Sequence, residues 1–186
     1  MSADLQILRP IARGGAAEGP VNVDKVAIIG IEPADSQDPA IPGEVAICLP
    51  TGFARNWFVL LHERELEKGF GPDASLLARY VRERAISPAL VVQNLEAAVQ
   101  GYLLYASDPV CTAWRLKRLY ERADRPGQAP DIADLGRLMA EQESSTGRSV
   151  AAALNLHRPF DRAASEVGLL AQTLQSVVGI RRVSKR

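Results

Sequence analysis

The stretch FARNWFVLLHERELEKGFG, residues 53–71, decides how this chain is read. Phe53, Trp57, Leu60 and Leu61 recur at helical spacing, whereas Trp57 to Leu61 alone would suit a strand. Its length and the Glu-rich continuation through Glu63, Glu65 and Glu67 favour a helix ending near Gly69. With that choice almost everything after residue 50 reads as helix. The expected fold class is mainly α: a helical bundle with an extended N-terminal arm and a small two-stranded β element.

On the N-terminal side, VDKVAIIGIE (Val23 to Glu32) and GEVAICLP (Gly43 to Pro50) are short Val- and Ile-rich runs around a polar, proline-bearing loop, and they read as one antiparallel pair of strands. Residues 1–22 carry an apolar patch, Leu5, Ile7, Leu8 and Ile11, interrupted by two prolines and a GGAAEG spacer, and read as an extended arm. On the C-terminal side, GPDASLLARYVRERA places Leu76, Leu77, Tyr80 and Val81 on one helical face. SPALVVQNLEAAVQGYLLYA (Ser87 to Ala106) and DPVCTAWRLKRLYERA (from Asp108) both begin with a capping oxygen followed by proline at the first helical position, where a missing N–H costs nothing. DRPGQAP, residues 124–130, reads as an internal linker. Beyond it, Asp131 is expected to cap a helix with Ile132, Leu135, Leu138 and Met139 inward, and a last helix carries the stripe Ala163, Val167, Leu170, Leu174 and Val177 up to Gly179. The division expected is arm 1–22, β element 23–50, helical domain 51–179 and basic tail 180–186.

Charge and chemistry narrow the functional classes. Lys plus Arg and Asp plus Glu both number 22 in 186 residues, so no global field draws in polyanions. By segment, residues 1–50 hold three basic against seven acidic residues, 51–130 eleven against nine, and 131–186 eight against six. Cys48 and Cys111 lie far apart in apolar contexts and read as buried thiols; with no leader and no spanning apolar run, a cytoplasmic, reduced setting is expected, or a virion one, and no membrane partner.

His62 opens HERE, but Leu66 stands where a zinc-protease helix needs its second histidine, and His157 is the only other histidine. GGAAEG lacks the preceding strand and the glycine order of a dinucleotide loop. No G-x-S-x-G elbow is present. No metal, no cofactor and no catalytic residue is therefore expected, and a small enzyme with His62, Glu63 and Glu67 converging in a pocket ranks third among the functions considered.

Basic groups supply the remaining lead. Arg115, Arg118 and Arg122 recur at i, i+3 and i+7, joined by Lys117 and followed by Arg125, with Trp114 or Tyr120 available to stack on a base. The tail adds Arg181, Arg182, Lys185 and Arg186, the first two already favoured by a helix C-terminus. The leading expectation is a non-enzymatic structural or assembly subunit, such as a bacteriophage virion component, whose arm (Leu5, Ile7, Leu8, Ile11) binds a protein partner or another copy. The alternative is a nucleic-acid-binding or regulatory protein using those basic positions.

Overall fold

The computed structural model describes residues 21–34, 39–62, 65, 83–146 and 163–178. Within these, the mainly helical expectation is corrected: the chain forms an α/β fold around a mixed five-stranded sheet. A 3-10 turn at Val23–Lys25 leads into β1 (Val26–Pro33), followed by β2 (Pro42–Cys48) and β3 (Ala54–Phe58). Helix α1 (Pro88–Val99) leads to β4 (Leu103–Ala106), α2 (Pro109–Arg122) to β5 (Ile132–Asp134), and α3 (Leu135–Thr146) and α4 (Ala163–Val178) follow. The strand order is β3-β2-β1-β4-β5, with β1, β2 and β3 antiparallel and β1, β4 and β5 parallel.

The strand alternation sorts the core into two layers. Ala27, Ile29 and Ile31 of β1, with Val45 and Ile47 of β2, pack against Val91, Val92 and Leu95 of α1 and Leu116, Leu119 and Tyr120 of α2. The alternate residues Val26, Ile28, Ala46 and Cys48 face Leu135, Leu138 and Met139 of α3 and Ala163, Val167 and Leu174 of α4. A central strand buried on both faces has no polar side to show, which is why β1 reads as a continuous aliphatic run.

Three strands are absent from the sequence reading, and each absence has a local cause. β3 is an edge strand whose first three residues are exposed, so its pattern carries little signal; Trp57 pairs with Val45 and packs on the core, and its helical spacing to Phe53 and Leu61 is coincidental. β4 continues from the end of α1 after only Gln100, Gly101 and Tyr102. Gly101 takes φ +80°, a left-handed turn that ends the helix and sends LLYA into the sheet. β5 is three residues long, so Ile132 lies in a strand and Asp134, not Asp131, caps α3, accepting from the N–H groups of Gly136 at 2.8 Å and Arg137 at 3.3 Å.

The two proline-led starts stand as expected. Ser87 Oγ accepts from Leu90 N at 3.3 Å, and Asp108 Oδ1 accepts from Cys111 N at 2.9 Å. Cys48 is buried and Cys111 half-buried, and the two form no disulfide with each other. The inner faces of α3 and α4 hold their expected apolar residues; the side chain of Val177, like Leu76, Leu77, Tyr80 and Val81, falls outside the described set.

Candidate functional site

Open sheets with parallel strands place ligands outside the carboxyl ends of those strands, where neighbouring connections diverge. Here β1 turns back to β2 on one side, while β4 leads through α2 to β5 on the other, so the edge to inspect is the one where β1 and β4 end. The chain delivers chemistry to that edge from four elements. Glu32 stands at the end of β1, Ser107 and Asp108 follow β4, Asp134 ends β5, and Glu166 sits in the first turn of α4.

These groups touch. Ser107 Oγ donates to Glu166 Oε1, joining the end of β4 to α4. Glu32 pairs in register with Glu44 of β2, so both carboxylates point to the sheet face covered by α4. Glu44 is buried and accepts from Asn56 Nδ2 on β3 at 2.8 Å. Burial pushes the Glu32 carboxyl above the usual carboxylate range. The negative charges of Glu166 and Glu44 add to that shift, and Arg115 opposes it. A half-buried carboxylate facing two others holds a proton, or attracts a cation, more readily than a solvated one.

The same edge gathers helix starts. β4 and β5 each hand over to a helix there, and α4 brings Glu166 there in its first turn. Ile86, two residues before the start of α1, bridges to Val59 beyond the end of β3. Peptide dipoles make helix N-termini mildly positive, although Ser87, Asp108 and Asp134 already use part of the first-turn N–H groups. Carboxylates and positive helix ends therefore lie side by side.

The arginines of α2 are committed within the molecule. Arg115 donates to the carbonyls of Ile31 at 2.7 Å and Pro39 at 3.2 Å, securing the loop between β1 and β2. Arg122 grips Glu65 through two nitrogens, at 2.7 and 3.0 Å, and Arg118 pairs with Glu121 at 2.8 Å. Arg125 pairs with Glu96 at 2.7 Å and lies over the Tyr120 ring. Tyr120 is buried, so it offers no stacking surface; burial and the Glu96 carboxylate push its hydroxyl up to about 12. Trp114 remains exposed.

His62 is exposed, and its backbone N–H donates to Glu65 Oε2 at 2.8 Å. Glu63 and Glu67 lie outside the described residues, as do His157, the arm residues Leu5, Ile7, Leu8 and Ile11, and the tail residues Arg181, Arg182, Lys185 and Arg186. Among the described residues no group of three or more His, Cys, Asp or Glu side chains is placed to hold a metal ion. No helix among them is long and apolar enough to cross a membrane. Glu32, Ser107 and Glu166 carry no local motif, and only the topology brings them together.

The chain is thus an α/β protein with a mixed sheet and polar side chains gathered at its parallel strand ends. No family model matches the sequence, and no curated protein does. Among solved structures, a chain of the crystal structure of SSB/Exonuclease I in complex with the inhibitor CFAM is similar in fold, with a TM-score of 0.51 and 10% identity. The alignment covers 81% of this chain and 41% of that one, so the present chain corresponds to less than half of its length.

Proposed function

We propose that this protein is a nucleic-acid-associated, non-hydrolytic domain that takes a polynucleotide along the edge where β1 and β4 end. The observation that carries the reading is the strand-end edge itself: Glu32, Glu44 and Glu166 lie close together where β4 and β5 hand over to helices. Support comes from the fold it shares with a chain of an SSB/Exonuclease I structure. Helix starts attract phosphate, while the carboxylates repel it, so the association is expected to weaken as the carboxylates ionise and to be screened by salt.

The test is fluorescence anisotropy of a labelled single-stranded oligonucleotide across a salt series, with and without Mg²⁺. The expected result is binding that weakens linearly on a log–log plot, each phosphate contact contributing a slope of about −0.7. No association at low salt, with or without the cation, would overturn the proposal. Shortening of the labelled strand on a denaturing gel, abolished in Glu32→Ala and Glu166→Ala, would overturn its non-hydrolytic part.

A second reading, a structural or assembly subunit, is favoured by a separate feature. At the opposite end of the sheet a groove of about 360 Å³ is lined by Val99, Tyr102, Leu103 and Tyr120, with Leu103 53% exposed. Light scattering of Leu103→Asp against the parent chain tests it. A defined oligomer that falls apart in the variant supports the reading, and a parent monomer removes self-assembly.

A further inference from the structure

The groove at the opposite end of the sheet is built by two local devices. Gly101 ends α1 in a left-handed turn, and the Tyr102 N–H donates to the Val99 carbonyl at 2.9 Å, which sets the chain into β4. After α2 the chain folds back: the Arg125 N–H donates to the Tyr120 carbonyl at 2.9 Å. The Arg125 guanidinium then ties Glu96 of α1, at 2.7 Å, to Gln128 of the loop before β5, at 2.9 Å. These braces hold the walls in place without a ligand. The enclosed volume of about 360 Å³ falls within the ~300–1,000 Å³ of small-molecule sites.

The lining is apolar with acidic groups at its margin. Val99, Tyr102 and Leu103 supply the apolar part, and its charged residues, Glu96 and Asp131, are both acidic; among the described residues no basic one lines it. The Arg125 hydrogen bond holds the Glu96 carboxyl below the usual carboxylate range, so Glu96 is ionised and already answered by Arg125. Asp131 makes no ion pair with any described residue. A tyrosine ring presents a negative face, so ring and carboxylate favour the same sign of ligand.

We infer that this groove binds a small organic cation, its apolar body lying on Tyr102 and Leu103 and its ammonium directed to Asp131. An anion of the same shape meets two carboxylates, and a neutral one gains nothing from Asp131. The inference is independent of the nucleic-acid reading, which concerns the other end of the sheet, and it competes with the assembly reading for this surface.

The test is titration of the ¹⁵N-labelled full chain with phenethylammonium chloride, followed through backbone amide shifts, with sodium phenylacetate and 2-phenylethanol as anionic and neutral counterparts at equal ionic strength. Saturable shifts at Gly101, Leu103 and Asp131 are expected from the cation, weaker binding from the alcohol and none from phenylacetate. Asp131→Asn should weaken cation binding by about 2- to 5-fold, as for an exposed ion pair, and leave the alcohol unchanged. Tyr102→Leu keeps apolar bulk but removes the ring, and should also weaken the cation by about 2- to 5-fold. Unchanged amide positions away from the groove show that both variants are folded. No saturable shift from the cation, equal binding of phenylacetate, or an unchanged cation affinity in Asp131→Asn would each overturn the inference. So would a parent oligomer that Leu103→Asp separates into monomers, because a second copy then occupies the groove.

Discussion

Glu32 carries an ionisable group at the end of a strand that is otherwise aliphatic, and its surroundings raise its pKa through burial first and through Glu166 and Glu44 next. A carboxyl whose folded pKa lies above its unfolded value contributes stability that is complete below the unfolded value, near 4.5, and is lost as pH rises through the folded one. Glu32→Gln is therefore expected to raise the melting temperature at neutral and mildly alkaline pH and to change it little in acid. A scan of Tm against pH checks this, and a gain confined to acid would contradict it. Asp124 is a second local compromise. It follows α2 at φ 57°, a left-handed conformation unfavourable for any side chain, so Asp124→Gly should stabilise the fold by up to roughly 1 kcal/mol in urea unfolding. The sequence announces neither role. Glu32 looks like the polar end of a strand, and Glu166 like a first-turn acid complementing its helix. Arg115 looks like one member of a phosphate-binding stripe, yet its guanidinium is held by the carbonyls of Ile31 and Pro39.

At the scale of elements, close approach of backbone decides where α4 can lie. A Cβ on Gly30 would meet Val167 Cγ1 at 3.0 Å and the Ala163 carbonyl oxygen at 3.5 Å, so the helix that carries Glu166 rests directly on bare β1 backbone. Gly30→Ala is expected to cost about 1–3 kcal/mol and to shift α4 outward, seen in urea unfolding and as faster exchange of α4 amides. Gly43 is tighter still, because its added Cβ would lie 2.7 Å from Ala34 Cα, where the β1–β2 register shifts. Gly43→Ala should therefore destabilise more than Gly30→Ala. Elements that bury a periodic stripe or begin with a cap and proline are legible from sequence, as β1, β2, α1, α2 and the inner faces of α3 and α4 are. β4 and β5, four and three residues long, are not. Runs that short are strands only because a neighbouring strand supplies their hydrogen bonds, and nothing in LLYA or IAD encodes that neighbour. Misreading β3, β4 and β5 turns an α/β sheet into a bundle, and the edge where the parallel strands end, with its clustered carboxylates, disappears with them.

Across the whole molecule, ion pairs that bridge distant segments set the response to acid. Arg122 of α2 holds Glu65, 57 residues earlier, with both side chains mostly shielded from solvent, and also reaches the Leu60 carbonyl. Its hydrogen bonds keep the Glu65 carboxyl below the usual range against the pull of burial. The Arg125 hydrogen bond lowers Glu96 in the same sense, though this pair is far more exposed and adds little. A depressed carboxyl contributes stability that is present above its unfolded value, near 4.5, and disappears as pH falls through the folded one. The molecule thus carries two opposed contributions, Glu65 favouring neutral pH through its two hydrogen bonds from Arg122 and Glu32 favouring acid. Arg122→Ala removes a two-pronged, charge-assisted contact and should cost roughly 1.5–3 kcal/mol at neutral pH. Below the folded pKa of Glu65 the partner is protonated in the parent as well, so the difference between variant and parent should shrink towards that of a neutral contact. Urea unfolding of the two proteins at neutral and at strongly acidic pH decides the matter. A penalty that stays constant as Glu65 titrates would show that Arg122 acts through packing of its stem and the Leu60 carbonyl rather than through its ion pair.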